Sequence, residues 1–126
     1  MDNYIVPQTK HTPQIELHYS DKYLRIAGDS YPENAMEVFQ PLIERLESYF
    51  AKAQQSLTID VLVDYQNTSS TKMMTDIIAK LQHFHETEHQ IKLTWYYPEG
   101  DIDCLENCEM LLEDASFPYA ITELKD

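Results

Sequence analysis

The sequence predicts an α/β domain with a mixed central sheet of about five strands and about three to four helices. Two observations support this prediction. Apolar residues alternate with other residues at 57–65 and again at 91–97, which is typical of strands. Between and around these segments the apolar residues follow helical spacing, so the predicted order is β-β-α-β-α-β-α-β. Such alternation is typical of a layered sheet with crossovers between parallel strands. The length of 126 residues is most simply one domain, 1–126.

The first half of the chain begins with a polar, proline-containing segment, residues 1–13, which we expect to be a loose N-terminal arm. Residues 15–27 contain two short strand patterns around a turn, and these predict a hairpin. An apolar stripe at helical spacing follows over residues 35–53. Pro41 interrupts this stripe, so we expect it to kink the helix or divide it near Gln40.

The second half of the chain repeats a strand and helix alternation. The segment 57–65 is the clearest strand and is predicted to be central, and the helix after it is predicted to run to about His89. A strand at 91–97, a third helix at 102–112 and a short last strand at 119–123 complete the order. In open α/β sheets, sites are built at the carboxyl ends of the strands. The segment after the central strand is therefore the first place to look for function.

The balance of charge excludes two classes of partner. The chain has 9 Lys and Arg against 22 Asp and Glu, a net charge of −13 with His neutral. Proteins that follow a phosphate backbone cluster their basic residues, and here these residues are scattered. We therefore expect no nucleic-acid partner and no attraction to anionic membranes. Gly28 and Gly100 are the only glycines, too few for the glycine-rich loops that hold phosphates.

The sequence also predicts a cytoplasmic location. Residues 1–14 have no apolar core of a secretory signal. No apolar run approaches the length of about 20 residues that a membrane span needs. Cys104 and Cys108 lie four apart in a predicted helix, which is a poor disposition for a disulfide. We interpret them as core residues rather than zinc ligands.

A run of hydroxyl residues lies between the central strand and the second helix. It follows Asn67 and consists of Thr68, Ser69, Ser70 and Thr71. Asn, Ser and Thr cap helices by accepting hydrogen bonds from free N–H groups. One residue is enough for a cap, and a phosphate at this place would also be stabilised by the positive end of the helix dipole. Lys72, one turn after Thr68, could pair with it. Capping and phosphorylation are compatible, and both stay open from these residues alone.

Several blocks of the sequence together resemble a known family. They are residues 28–35 (GDSYPENA), 39–42 (FQPL), 65–72 (YQNTSSTK), 95–106 (WYYPEGDIDCLE) and 113–118 (EDASFP). From about residue 15 to its C-terminus the chain resembles the SiaC family of bacterial regulatory phosphoproteins. It departs from the family at Gln66, where an aromatic residue is common, and at Gly100, Ile102 and Cys104, where acidic residues are common.

The resemblance implies a non-catalytic switch protein without a cofactor. It implies a fold similar to the STAS domains of anti-sigma-factor antagonists. The phosphoacceptor would be Thr68, with Ser69 and Ser70 as second choices. A dedicated Ser/Thr kinase would phosphorylate it and a PP2C-like phosphatase would dephosphorylate it. The unphosphorylated protein would bind and activate a diguanylate cyclase, raise cyclic di-GMP and promote biofilm formation.

The predicted partner-binding residues surround this acceptor. They are Tyr31, Asn67, Thr68, Ser69, Ser70 and Lys72. Tyr31 is the best single candidate for a contact, because Tyr is enriched where proteins bind each other. We expect Tyr65 and Tyr97 to pack half-buried in strands instead. An alternative keeps the fold but makes the partner an anti-sigma kinase.

Two other patterns suggest different chemistry. His85-Glu86-x-x-His89 has the spacing of a zinc hydrolase, in which two His on one helix bind the metal and the Glu activates water. We favour a solvated helix end, because no third ligand is evident and short motifs recur by chance. Asp29 and Asp64 could form an acidic pocket at the sheet edge, or simply solvate two loops.

Overall fold

The computed structural model describes residues 2–125, with six strands and three helices in the order β-β-β-α-β-α-β-α-β. The strands are β1 (Tyr4–Val6), β2 (Gln14–His18), β3 (Tyr23–Ala27), β4 (Ser56–Leu62), β5 (Gln90–Pro98) and β6 (Tyr119–Leu124). The helices are α1 (Ala35–Tyr49), α2 (Thr68–Glu86) and α3 (Ile102–Leu112). The predicted α/β class and mixed sheet are confirmed.

The strands form one sheet whose spatial order is the order of the chain. β1, β2 and β3 are antiparallel neighbours, whereas β3, β4, β5 and β6 run parallel. Ile26 lies opposite Val61, and Val61 lies opposite Trp95. Each crossover steps to the next strand in one direction, and such connections are right-handed. The helices therefore lie side by side on one face, where α2 contacts both α1 and α3.

The core lies between this sheet face and the helices. The fully buried strand residues alternate along β2, β3, β4 and β5, and they include Ile15, Leu17, Leu24, Ile26, Ile59, Val61 and Trp95. The Trp95 indole N–H donates to the carbonyl of Val63 at 3.4 Å. The opposite face carries polar pairs. There the Tyr23 hydroxyl donates to Asp60 at 2.8 Å, and burial together with this bond raises the pKa of Tyr23 to about 12.

The N-terminal segment differs from its prediction. The loose arm expected over residues 1–13 is wrong, because Tyr4–Val6 forms β1 and pairs with β2, and Met1 lies outside the described residues. The Arg45 guanidinium lies 4.1 Å from the centroid of the Tyr4 ring. Three residues between polar segments are too few to show a period in sequence. The sheet consequently has six strands rather than five.

Two helix boundaries also differ from their predictions. α1 runs without a break through Pro41, so a division near Gln40 is wrong. Phe39 and Leu42 are fully buried on either side of it, and such packing stabilises a helix that its own propensity disfavours. α2 ends at Glu86 rather than near His89.

The two cysteines follow the sequence prediction. Cys104 and Cys108 are free and buried in the core, as expected. Among residues 2–125, none of the helices has the length and apolar character that crossing a bilayer requires.

Because β3, β4 and β5 are parallel and each leads into a helix, α1, α2 and α3 all begin at one edge of the sheet. We call it the carboxyl edge, and the candidate site lies there.

Candidate functional site

The start of α2 is organised by Asn67. Its Oδ1 accepts a hydrogen bond from the backbone N–H of Ser70 at 2.9 Å, so Asn67 is the N-cap of the helix. The Ser69 hydroxyl donates to the same Oδ1 at 3.2 Å. Capping therefore requires none of the hydroxyl residues that follow.

Asn67 also fixes the neighbouring loop. Its Nδ2 donates to the carbonyl of Pro32 at 2.9 Å, and its backbone N–H donates to the carbonyl of Ser30 at 3.0 Å. The loop leaves β3 through Gly28, whose φ of +108° lies in the region that favours glycine. These bonds hold the loop after β3 against the first turn of α2.

Ser70 contributes to the packing of the fold and is fully buried. Its Oγ lies 2.7 Å from the Oγ of Ser30, which is also fully buried. A kinase cannot reach a hydroxyl in this position without opening the loop. The burial argues against Ser70 both as a second choice of phosphoacceptor and as a residue that contacts a partner. Ser69 is half-buried.

Thr68 has the opposite character. It is the first residue of α2 and is exposed. Lys72, four residues on, is exposed as well, and residues at this spacing share one face of a helix. The first turn of α2 contains no acidic residue. A phosphate on Thr68 would therefore meet free backbone N–H groups, the positive end of the helix dipole and an ammonium group.

Two tyrosines lie beside this turn. Tyr31 is half-buried and its ring centroid is 5.9 Å from that of Tyr65. Tyr65 is 57% exposed and lies beyond the end of β4, so the half-buried strand position predicted for it is wrong. Tyr97, in β5, is half-buried against the core, as predicted.

Sequence reasoning missed an exposed apolar set at the carboxyl edge. Met36 near the start of α1, Tyr65 before α2 and Ile102 at the start of α3 are 57–59% exposed. We call these three residues the apolar rim. Each one looks ordinary in its own segment, and the signal lies in the topology, because consecutive parallel crossovers place all three at one edge.

An acidic pocket of about 470 Å³ adjoins the rim. Asp29 and Asp64 both line it, together with Asp101 and Asp103. Partial burial of Asp64, followed by the negative charges of Asp29 and Asp101, raises its pKa. Asp101 also caps α3, since its Oδ1 accepts from the N–H of Cys104 at 3.0 Å. The pocket therefore places four carboxyl groups beside the start of α3.

The zinc-hydrolase pattern does not form. Its two histidines would need to share one helix, but His89 lies beyond the end of α2, after Glu88 with a φ of +73°. The Nδ1 of His89 accepts a hydrogen bond from the Gln55 N–H at 3.0 Å. Within residues 2–125 no group of three or more His, Cys, Asp or Glu could hold a metal ion.

Known proteins share this sequence and architecture. The profile of the SiaC family regulatory phosphoproteins matches residues 6–124. An uncharacterized protein of Pseudomonas aeruginosa is 37% identical over 121 residues, 96% of each chain. SiaC of Pseudomonas aeruginosa is similar in structure, with a TM-score of 0.91, 36% identity, and coverage of 98% of this chain and 100% of that one.

A further match comes from a crystal structure of the diguanylate cyclase SiaD in complex with its activator SiaC, from the same organism. Its matching chain has a TM-score of 0.92 and 36% identity, and the match covers 96% of this chain and 99% of that one. The family match spans nearly the whole chain, including every element around Thr68. This protein therefore belongs to the SiaC family of regulatory phosphoproteins.

Proposed function

We propose that this protein is a non-catalytic switch that, when unphosphorylated, binds and activates a diguanylate cyclase in the cytoplasm. Cyclic di-GMP signalling and biofilm formation would be its output. A Ser/Thr kinase would phosphorylate Thr68, and a PP2C-like phosphatase would reverse the modification. The support is family membership together with a relative crystallised as the activator of the diguanylate cyclase SiaD.

The difference in exposure among the hydroxyl residues supports Thr68 as the phosphoacceptor. Thr68 is exposed at the first position of α2, while Ser70 is buried and Ser69 is half-buried. A kinase must seat the acceptor hydroxyl in its own active site, so exposure is the first requirement. Thr68 meets it best within the Asn-Thr-Ser motif.

The partner surface follows from the surroundings of Thr68. We place it on Tyr31, Thr68, Ser69, Lys72 and the apolar rim, with Asn67 holding the turn in shape. An apolar centre with polar neighbours is the usual composition of a binding surface. A phosphate adds a charge of about −1.5 to −2 at its middle. Desolvating that charge against an apolar contact would disfavour binding, and Lys72 would pair with the phosphate instead of with a partner.

The first test is the site of modification. We expect one phosphate by intact mass on wild type and on Thr75→Ala after incubation with ATP and the cognate kinase, and none on Thr68→Ala. Thr75 is a matched control because it is exposed on the same helix. A phosphate on Thr68→Ala would contradict the assignment.

The second test is the output. Cyclic di-GMP synthesis by the cyclase should rise with the unphosphorylated protein and with Thr68→Ala, and it should fall to the basal rate with the phosphorylated protein. Treatment with the phosphatase should restore activation. If the phosphorylated form activates as well as the unphosphorylated form, the switch is wrong even where Thr68 is the acceptor.

A further inference from the structure

A second cavity lies at the other end of the sheet from Thr68. Its volume is about 480 Å³, and it is found where β4 and β5 begin and α2 ends. Cavities of this volume are the usual size of small-molecule sites. α2 has 19 residues, so its first turn and this cavity are about 28 Å apart along the helix. The proposed partner surface does not include the cavity.

The main polar group of the cavity is His89, which is only 8% exposed. Because its Nδ1 accepts from the Gln55 N–H, the N–H donor of the ring is Nε2. The ring is held in place by Phe50, with ring centroids 4.9 Å apart. Nε2 has no hydrogen-bond partner within residues 2–125 and is not sealed from solvent. The Nε2–H is therefore a donor of fixed direction that stays open to an acceptor entering the cavity.

The charge around the cavity selects the kind of acceptor. Lys92 and His85 line it, and none of the described lining residues is acidic, although the whole chain carries −13. Lys92 is exposed and makes no ion pair among residues 2–125. The walls include apolar Leu57, Ile91 and Pro118. A ligand with an anionic group and an apolar body complements this lining.

The end of α2 is compatible with an anion. The carboxyl end of a helix dipole is negative and would repel one. Here the N–H groups of Thr87, Glu88 and His89 donate to carbonyls of the last helical turn, at 3.1–3.3 Å. Carbonyls that are satisfied in this way project less negative charge into the cavity.

We propose that this cavity binds a small organic anion, a carboxylate or phosphate monoester on an apolar body, whose acidic group accepts a hydrogen bond from the Nε2–H of His89 and is attracted by the positive charge of Lys92. In this site His89 is a hydrogen-bond donor rather than the metal ligand that the zinc pattern suggested. The site is independent of the phosphoswitch, since its residues lie at the opposite ends of β4 and α2.

The test is a titration of ¹⁵N-labelled protein, followed by amide chemical shifts. The probes are phenyl phosphate and benzoate, with benzyl alcohol as the uncharged counterpart. We expect saturable shifts around Gln55, His89 and Lys92 with at least one anion and much weaker binding of the alcohol. The tighter of the two anions identifies the acidic group.

Three variants make the test specific. Lys92→Gln should weaken binding about tenfold, because it removes the positive charge of the lysine that lines the cavity. His89→Asn should do the same, since Asn keeps an acceptor for the Gln55 N–H but removes the Nε2 donor. Lys10→Gln changes an exposed Lys between β1 and β2 and should leave the affinity unchanged. Lys92→Gln alone decides the outcome if His89→Asn does not fold.

The proposal is overturned by any of three results. The first is the absence of saturable shifts with both anions, and the second is equal binding of benzyl alcohol. The third is an anion affinity that neither Lys92→Gln nor His89→Asn changes. Activation of a cyclase is not measured in this experiment, so its failure leaves the phosphoswitch proposal unaffected.

Discussion

The hydroxyl groups of one short segment have different physical roles. Thr68 presents its side chain to solvent, Ser69 bonds to the helix cap and Ser70 is buried against Ser30. A buried hydroxyl without a partner keeps the cost of its lost hydration. The Ser30 and Ser70 pair therefore attaches the loop after β3 to α2 through one mutual hydrogen bond.

We predict that Ser70→Ala lowers the free energy of unfolding by about 1–3 kcal/mol, because it leaves the Ser30 hydroxyl buried without a partner. The double variant with Ser30→Ala should lose less than the sum of the single losses, since it removes both polar groups. Urea unfolding measures all of these values. Ser69→Ala is the control and should cost less. Strict additivity of the two buried sites would show that the hydroxyls do not depend on each other.

At the level of single helices, the structure differs from the sequence prediction in the continuity of α1 and in the end of α2. Apolar periodicity predicted α1 and α2 correctly as helices, but their limits depend on more than the period. α1 continues through Pro41 because buried residues on both sides hold it to the sheet. α2 ends before His89, where the chain turns through the left-handed Glu88 to enter β5.

Pro41→Ala should stabilise the protein. Proline inside a helix is about 3 kcal/mol less favourable than alanine. Proline also stiffens the unfolded chain, and this effect offsets up to about 1 kcal/mol of that cost. Pro41 is half-buried, so some packing is lost as well. We expect a net gain of about 1 kcal/mol in the free energy of unfolding.

The matched control for this change is Gln40→Ala, the neighbouring half-buried residue of α1. It should change stability by less than about 0.5 kcal/mol. Both variants can be compared by thermal and urea unfolding. A loss of stability in Pro41→Ala would mean that the packing of the proline ring outweighs the restored backbone hydrogen bond.

The whole molecule carries far more negative than positive charge. The net charge is −13, and residues 2–125 contain three ion pairs within 4.0 Å, one of which needs a protonated His18. Most acidic side chains therefore repel one another across the surface. Repulsion of this kind favours the expanded, unfolded chain.

Sodium chloride should therefore raise the melting temperature at neutral pH, by a few degrees, because salt screens exposed charges beyond about 10 Å already at 0.1 M. The same salt series near the isoelectric point is the control, since the net repulsion vanishes there. Calorimetry at both values of pH measures the difference. An equal increase at the two values would assign the effect to general salting-out rather than to charge.

The sequence predicted the position of Thr68 better than it predicted where the helices and strands end. The position of Thr68 at the start of a helix follows from local patterns, namely an alternating strand, a capping Asn and a helical stripe. The burial of Ser70 could not be predicted, because its partner Ser30 is 40 residues away. Tyr65 was misjudged for a related reason, since a strand pattern does not show where pairing with the next strand stops.

The sequence by itself determined the α/β class, the helical character of the segments that form α1, α2 and α3, the core position of both cysteines and the family. These depend on local periodicity and on motifs that lie within short segments. Only the tertiary structure decided that Tyr4–Val6 joins the sheet, that Met36, Tyr65 and Ile102 lie at one edge, and that His89 faces a cavity instead of a metal. The physical reason is that burial, edge pairing and cavities arise from contacts between residues far apart in the chain.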